Sequence, residues 1–394
     1  MHPGISIPIY FITDIFVLLF AIYCLSTVRP VRREYLLKLL ILSLIYLIVA
    51  GIPVAGAFLS DSKLKFWLQG IGNIWLGFFI YFGGILLLLM PVYRILRWTA
   101  HIPRKTAFTF LIISVAAGLI LQGYGMIHAQ QPRKVYYDVQ IDKDAGDIKE
   151  MKVVLIADLH MSVNSKHSTI QKMVDLVNEE NADLVVIAGD IFTSSYEGMS
   201  DPDRYAEILR GMKAKNGVYA VYGNHDVEET LFGGFPISPI SQAFRTKQME
   251  DFFDNAGFIT LYDEVVTIED EIQLAGRVDG EKAGDGTADR MSAAELLKDI
   301  DPEKPVLVLE HEPIDYAHLN ESGADLVLSG HTHAGQIFPG NLVVPFFNEN
   351  AYGYKVFDGL QTIVTAGVGY YGPPMRVGTD SEVTVVNITF NGGE

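Results

Sequence analysis

Four long apolar runs occupy the first third of the chain, at roughly 7–28, 36–59, 67–93 and 106–128. Each reaches the ~20 residues that carry a helix across the hydrocarbon core of a bilayer. Backbone polar groups find no water there, so such segments must be helical and satisfy themselves. The runs carry almost no charge, with Asp14 standing out as an acid well inside one. Four of them in succession favour a membrane domain over helices buried in a soluble core. Met1 to Pro8 holds no Lys or Arg, which argues against a cleaved leader.

Charge divides the chain in the same way. Up to Gln130 there are ten Lys/Arg against three Asp/Glu, a net charge of +7; the remainder has 20 against 44, a net charge of −24. A strongly acidic half has few cations with which to release the counterions of a phosphate backbone, which argues against nucleic acid as a partner. Basic residues gather in alternate loops between the apolar runs: Arg29, Arg32, Arg33 and Lys38 in the first, and Arg94, Arg97, Arg104 and Lys105 in the third. The positive-inside bias then puts those loops in the cytoplasm and the domain after the fourth run outside it. Arg133 and Lys134 beyond the last run pull the other way. Arg32-Arg33-Glu34-Tyr35-Leu36-Leu37-Lys38 also looks like a twin-arginine export signal, although the span ahead of it favours an ordinary basic loop.

The expected organisation is a transmembrane domain over 1–130, a linker and first strand over 131–148, and a second domain over 149–394. In that domain Lys152–Ala157, Asp183–Ala188, Gly217–Tyr222, Val306–Leu309, Asp325–Ser329, Thr362–Ala366 and Val383–Thr389 read as strands. Several are apolar at consecutive positions, as strands covered on both faces must be. Ile170, Met173, Val174 and Val177 fall at helical spacing and predict a helix over Ser168–Glu180. Glu228–Ser241, rich in Gly, Pro and Ser, reads as a loop or insertion.

Five polar clusters each follow directly on one of these strands: Asp158-Leu159-His160, Gly189-Asp190, Gly223-Asn224-His225-Asp226, Glu310-His311 and Gly330-His331-Thr332-His333. Residues just past the carboxyl ends of strands in layered α/β folds converge on one edge of the sheet, where ligands bind. Five of the ten histidines share that placement. The single cysteine, Cys24, lies in an apolar run, so ligands to any metal must be nitrogen and oxygen.

In these motifs the chain resembles the calcineurin-like metallophosphoesterase family, and within it the membrane-attached bacterial branch, from about Lys149 onward. The resemblance implies a multi-pass α-helical membrane domain joined to an α/β metallophosphoesterase domain built as a four-layer α/β/β/α sandwich. It implies two divalent metal ions, the first held by Asp158, His160, Asp190 and His333, the second by Asp190 as a shared bridge with Asn224, His311 and His331. His225 would stay off the metals as a catalytic proton donor, and Asp226 would either fix its tautomer or cap a helix. Nitrogen and oxygen donors without sulfur suit manganese, iron, cobalt or zinc.

Gly330–Gln336 reads Gly-His-Thr-His-Ala-Gly-Gln, close to the branch's own version, and Tyr352-Gly353, Gly367-Val368-Gly369 and Pro373-Pro374-Met375-Arg376 resemble its carboxyl-terminal pattern. Arg376 is a candidate phosphate contact, with a structural salt bridge as the alternative. Glu310 departs from the usual small residue before the metal-binding histidine, and a carboxylate there would orient His311 or disturb the second ion. Leu231–Ile240 and Pro345–Phe347 are candidates for an acyl-chain lip, against ordinary loop packing. The activity implied is hydrolysis of a phosphate mono- or diester or a pyrophosphate, on a lipid-linked substrate because the domain is tethered to a membrane. A nucleotide or cyclic-nucleotide phosphodiesterase, or a membrane sensor or scaffold on a dead fold, are the alternatives; missing ligands would mark the last, and all seven are present.

Overall fold

The computed structural model describes residues 3–28, 33–59, 63–232 and 235–392. Arg32, the first of the twin-arginine pair, and Arg29 of the first basic loop lie outside the described residues. The chain forms two compact units.

The first unit is Met1–Ile127 together with two short segments from far along the chain, Thr230–Ser238 and Gly372–Met375. Its helices are α1 (Pro3–Ser26), α2 (Arg33–Phe58), α3 (Lys63–Thr99) and α4 (Thr106–His128). All four are long and apolar enough to cross a membrane. Leu40, Leu88 and Ile120 are 66%, 74% and 69% exposed, a pattern unfavourable against water and favourable against lipid. Small residues let the helices approach: a methyl at Gly118 would sit 3.1 Å from the Phe82 side chain. Asp14 is fully buried and accepts a 2.7 Å hydrogen bond from Tyr46, so its role among the apolar runs is to tie α1 to α2. The two late segments pack here as well. Phe232 meets Tyr10 edge-on, ring centroids 5.5 Å apart, and Met375 lies against Gly77.

The second unit is two six-stranded sheets face to face. In spatial order the first is β1 (Arg133–Ile141), β14 (Glu382–Phe390), β2 (Glu150–Ile156), β3 (Leu184–Ala188), β4 (Val218–Val221) and β7 (Ile259–Thr260). The second is β12 (Gly353–Phe357), β13 (Leu360–Val364), β11 (Leu326–Ser329), β10 (Val306–Leu309), β9 (Ile272–Gly276) and β8 (Glu264–Ile268). A short hairpin, β5 (Leu231–Phe232) with β6 (Phe235–Pro236), belongs to the first unit. Strands β2, β3 and β4 run parallel, as do β9, β10, β11 and β13.

Side-chain alternation along each strand builds the layers. Val153 and Leu155 of β2 face inward with Leu307 and Leu309 of β10 and Leu326 and Leu328 of β11, forming the core between the sheets. Val154 and Ile156 face outward onto α5 (His167–Glu179), α6 (Pro202–Leu209) and α7 (Lys247–Ala256). On the far side Val306, Val308 and Val327 pack against α8 (Ala293–Leu296) and α9 (Tyr316–Glu321). The result is the expected four-layer α/β/β/α sandwich. Because central strands are buried on both faces, their apolar runs were unbroken in the sequence.

Candidate metal centre

The chain leaves β2, β3, β4, β10 and β11 along one rim, and all five polar clusters sit there. Asp158, His160, Asp190, His331 and His333 all take positive φ, from 41° to 74°. For residues with a Cβ that conformation costs about 1–3 kcal/mol each, and it persists only where the surroundings over-determine it. Close glycines are part of those surroundings. A methyl at Gly223 would run into the Asp190 carboxylate, and one at Gly367 would lie 2.5 Å from Asp158 Cβ.

Two groups of ligating atoms result, Asp158 with His160 and His333, and Asp158 with Asp190 and His311. In the first, His160 Nε2 is 2.9 Å from His333 Nε2 and 3.4 Å from Asp190 Oδ2, while His333 Nε2 is 3.7 Å from Asp158 Oδ1. In the second, His311 Nε2 is 3.1 Å from Asp190 Oδ2, 3.1 Å from Asn224 Oδ1 and 3.2 Å from His331 Nδ1. One oxygen, Asp190 Oδ2, therefore lies next to both clusters. Its partner Oδ1 is occupied by the backbone N–H of His225 at 2.8 Å, which fixes the carboxylate.

Neighbouring groups aim these donors. Ala188 O accepts from His311 Nδ1–H at 2.7 Å, which makes Nε2 the nitrogen turned toward Asp190 and Asn224. Glu281 accepts from Asn224 Nδ2 at 2.6 Å, so the amide oxygen is the atom turned toward His311. The His331 backbone N–H is 3.1 Å from each Asp158 oxygen.

Electrostatics suit a cation. Asp158 and Asp190 are buried, and among the described residues their ion-pair partners are histidines. Burial lifts the Asp158 carboxyl to about 7, helped by Asp190. Burial works against ionised Asp190 too, but His311, His225 and His160 outweigh it and hold its carboxyl well below the usual range. His160 and His331 are pushed down to about 3, chiefly by burial, and offer neutral rings. Converging neutral imidazoles, two buried carboxylates and an amide oxygen are a donor set that fits divalent metal ions of intermediate hardness.

Beside the cluster, His225 Nδ1 is 2.8 Å from Ser194 Oγ, and Ser194 donates to Glu229 Oε1 at 2.9 Å. The same Glu229 oxygen is 3.5 Å from His225 Nδ1 and accepts from buried Lys282 at 2.7 Å. Tyr371 lies over both His225 and His160, with ring centroids 4.4 and 5.1 Å apart. Ser194, Glu229, Lys282, Glu281 and Tyr371 were all missed in the sequence. Only Tyr371 carried a local signal, adjoining the Gly367–Arg376 motifs.

Three expectations change. Asp226 neither reaches the His225 ring nor caps a helix; its carboxylate accepts the backbone N–H groups of Asp190, Phe192 and Gly223 at 2.9, 2.9 and 2.8 Å. It ties the β3 and β4 exit loops together, and the orientation of His225 falls to Ser194. Arg376 is fully buried and donates to the carbonyls of Ala366, Gly367 and Gly369 at 2.7, 3.1 and 2.8 Å, which makes it a scaffold for the loop behind Asp158 rather than a free phosphate grip. Glu310 is taken up by Arg277 at 2.9 Å, so it is a buried ion-pair partner instead of a support for His311.

Residues 151–335 match the family model of the calcineurin-like phosphoesterases. A Danio rerio protein named transmembrane protein with metallophosphoesterase domain is 30% identical over 379 residues, covering 90% of this chain and 80% of its own. An uncharacterized metallophosphoesterase of Helicobacter pylori is 30% identical over 73% of each chain. A Chlamydia trachomatis protein named as a UDP-2,3-diacylglucosamine pyrophosphatase is 24% identical over 50% of this chain and 68% of its own. With the fold and the site geometry, these matches make the chain a member of the calcineurin-like metallophosphoesterase family. It is a metal-dependent phosphoric ester hydrolase associated with a membrane through its apolar helices.

Proposed function

We propose that the chain hydrolyses a phosphate mono- or diester, or a pyrophosphate, carried on a lipid, with two divalent ions held by seven side chains. Asp158, His160 and His333 serve one ion, Asn224, His311 and His331 the other, and Asp190 is shared. The observation that carries this reading is the single oxygen Asp190 Oδ2, 3.4 Å from His160 Nε2 and 3.1 Å from His311 Nε2. Paired divalent ions supply an acidified water and clamp the phosphoryl oxygens. Manganese, iron, cobalt and zinc all match the donors.

His225 is the proton donor to the departing oxygen. Ser194 spends its own hydrogen on Glu229, so its oxygen accepts from His225 Nδ1–H. The Glu229 carboxylate steadies the cationic ring, and Nε2–H is left for the leaving group. Lys282 balances Glu229 and, through a 3.1 Å bond to Asn224 O, ties that balance to the second ion's loop.

The lipid-linked substrate is supported by the apolar helices and by the diacylated substrate in the name of the Chlamydia trachomatis relative. The membrane domain over 1–130, the catalytic domain over 149–394 and an extracytoplasmic catalytic side complete the proposal. Purified protein, with manganese and with chelator, is incubated with phospholipids, lipid pyrophosphates and nucleotides. Turnover confined to nucleotides overturns the lipid assignment. Asp190→Ala abolishes turnover on every substrate with the protein still folded; retained activity removes the shared-ligand role. Protease added outside intact cells digests the domain, and its survival refutes the outward orientation.

A further inference from the structure

A ten-residue stretch from Phe338 to Phe347 carries no charged side chain and a single amide, Asn341. It is ordered as a short helix, α10 (Gly340–Val343), running into a 3-10 turn over Val344–Phe346. Leu342 and Phe346, and Val343 and Phe347, are four residues apart, the spacing that stacks side chains on one side of a helical path. All four project outward: Leu342 is 58% exposed, Val343 47%, Phe346 84% and Phe347 80%, with Phe338 beside them at 47%.

The inner side of the stretch is held. Asn341, Val344 and Pro345 line a cavity of about 480 Å³ together with Arg133, Tyr352, Lys355 and Asp380. Phe338 N–H donates to Val377 O at 2.8 Å and fastens the start of the stretch to the domain, while local bonds from Asn348 Nδ2 to Val344 O at 3.1 Å and from the Leu342 and Phe347 N–H groups to Pro339 O and Val344 O order the turns. The outward phenyl rings are therefore displayed by a built platform.

A soluble surface rarely shows two adjacent phenyl rings so fully exposed, whereas an interfacial segment does so by design. The covalent chain supplies a bilayer close by. Arg133, on the wall of the same cavity, follows the end of α4 at His128 by five residues, a reach of at most about 17 Å. A surface tethered so near a membrane meets it at high effective concentration. Arg133 is ion-paired with Asp380, which leaves Lys355, exposed beside the apolar prongs and among the described residues bonded only to the Glu349 carbonyl at 2.9 Å, as the cation an anionic headgroup layer would meet.

We propose that Phe338–Phe347 is a second membrane contact, with Leu342, Val343, Phe346 and Phe347 buried in the acyl boundary of the leaflet next to the phosphoesterase domain. This holds independently of the hydrolase reading, because it concerns lipid rather than the metal ions.

The test uses the full chain in liposomes containing anionic phospholipid, with Cys24→Ala removing the lone cysteine. A nitroxide is placed at Phe346→Cys, at Leu342→Cys in a second preparation, and at Lys247→Cys as an exposed control, whose native side chain is 81% exposed. Collision rates with oxygen, which concentrates in lipid, and with a water-soluble nickel chelate are compared by power-saturation EPR. The expected result is oxygen-dominated relaxation at 346 and 342 and nickel-dominated relaxation at 247. Nickel-dominated relaxation at both 346 and 342 overturns the proposal. Shielding from both agents with spin–spin broadening between copies also overturns it, in favour of self-association through this face.

Discussion

Replacing Asp226 separates its observed role from a part in orienting His225. Its Oδ2 accepts from Asp190 N and Gly223 N, and its Oδ1 from Phe192 N, all within the buried rim. Asp226→Ala strands three backbone donors, and a buried donor left without a partner costs about 1–3 kcal/mol. Some of that is recovered because the aspartate no longer has to be buried, its carboxyl being raised to about 6 chiefly by that burial. A net loss on the order of 3–6 kcal/mol is a large share of a domain's total stability. At roughly 2–4 °C per kcal/mol for a domain of this size, melting should fall by on the order of 10 °C. Asp226→Asn keeps one oxygen for the Oδ2 pair and loses the Phe192 bond, so its fall should be roughly half as large. Melting followed by near-ultraviolet circular dichroism, with metal content measured on the same samples, gives the readout. Asp226→Ala should lose metal as it loses stability, because the two loops it joins carry Asp190 and Asn224. Unchanged melting and full metal content, with turnover alone reduced, would refute the clip and restore a role at His225.

Two further outcomes follow from the site. His225→Ala should lower turnover by about 10²–10⁴-fold with metal content unchanged, and by more for an alkyl ester than for a nitrophenyl ester, whose leaving group needs no proton; loss of metal instead makes His225 a ligand. Metal uptake by the chelated protein should release more protons at pH 6 than at pH 8.5, as counted by calorimetry in buffers of different ionisation enthalpy. Asp158, held up to about 7, is protonated at the lower pH and ionised at the higher. Burial works against the charged His311 ring, but Asp190 and Asp158 outweigh it and raise its pKa above the usual value, so its proton adds to the release at the lower pH. An equal count at the two pH values contradicts this assignment.

The parts of the fold legible in the sequence were those set by solvent exclusion. Strands β2, β3, β10 and β11 are buried on both faces, so Val153–Ile156 and Val306–Leu309 stood out as apolar runs, and the polar clusters that ended them marked the rim. β8 and β12 were missed because they pair antiparallel at sheet edges and keep Thr267, Tyr354 and Lys355 exposed, which breaks the run. β9 was missed for a different reason: its five buried residues include Gln273, whose side chain bonds Asp301 at both ends, so a polar letter sits inside a core strand.

Site residues divide the same way. Donors at strand exits are placed by local chain geometry and could be read directly. Ser194, Glu229 and Lys282 meet only after folding, across 35 and 53 residues of sequence. Arg376 was ambiguous because a guanidinium suits a phosphate and a carboxylate equally; its buried bonds to three backbone carbonyls follow from loop packing that no local pattern marks.

Manganese-loaded protein examined by low-temperature EPR, alongside Asp190→Asn prepared identically, tests the shared ligand most directly. Two ions bridged by Asp190 give an exchange-coupled manganese pair in the native chain, and that signal disappears in the variant. A native spectrum of isolated manganese only, or a coupled pair that survives Asp190→Asn unchanged, would contradict it.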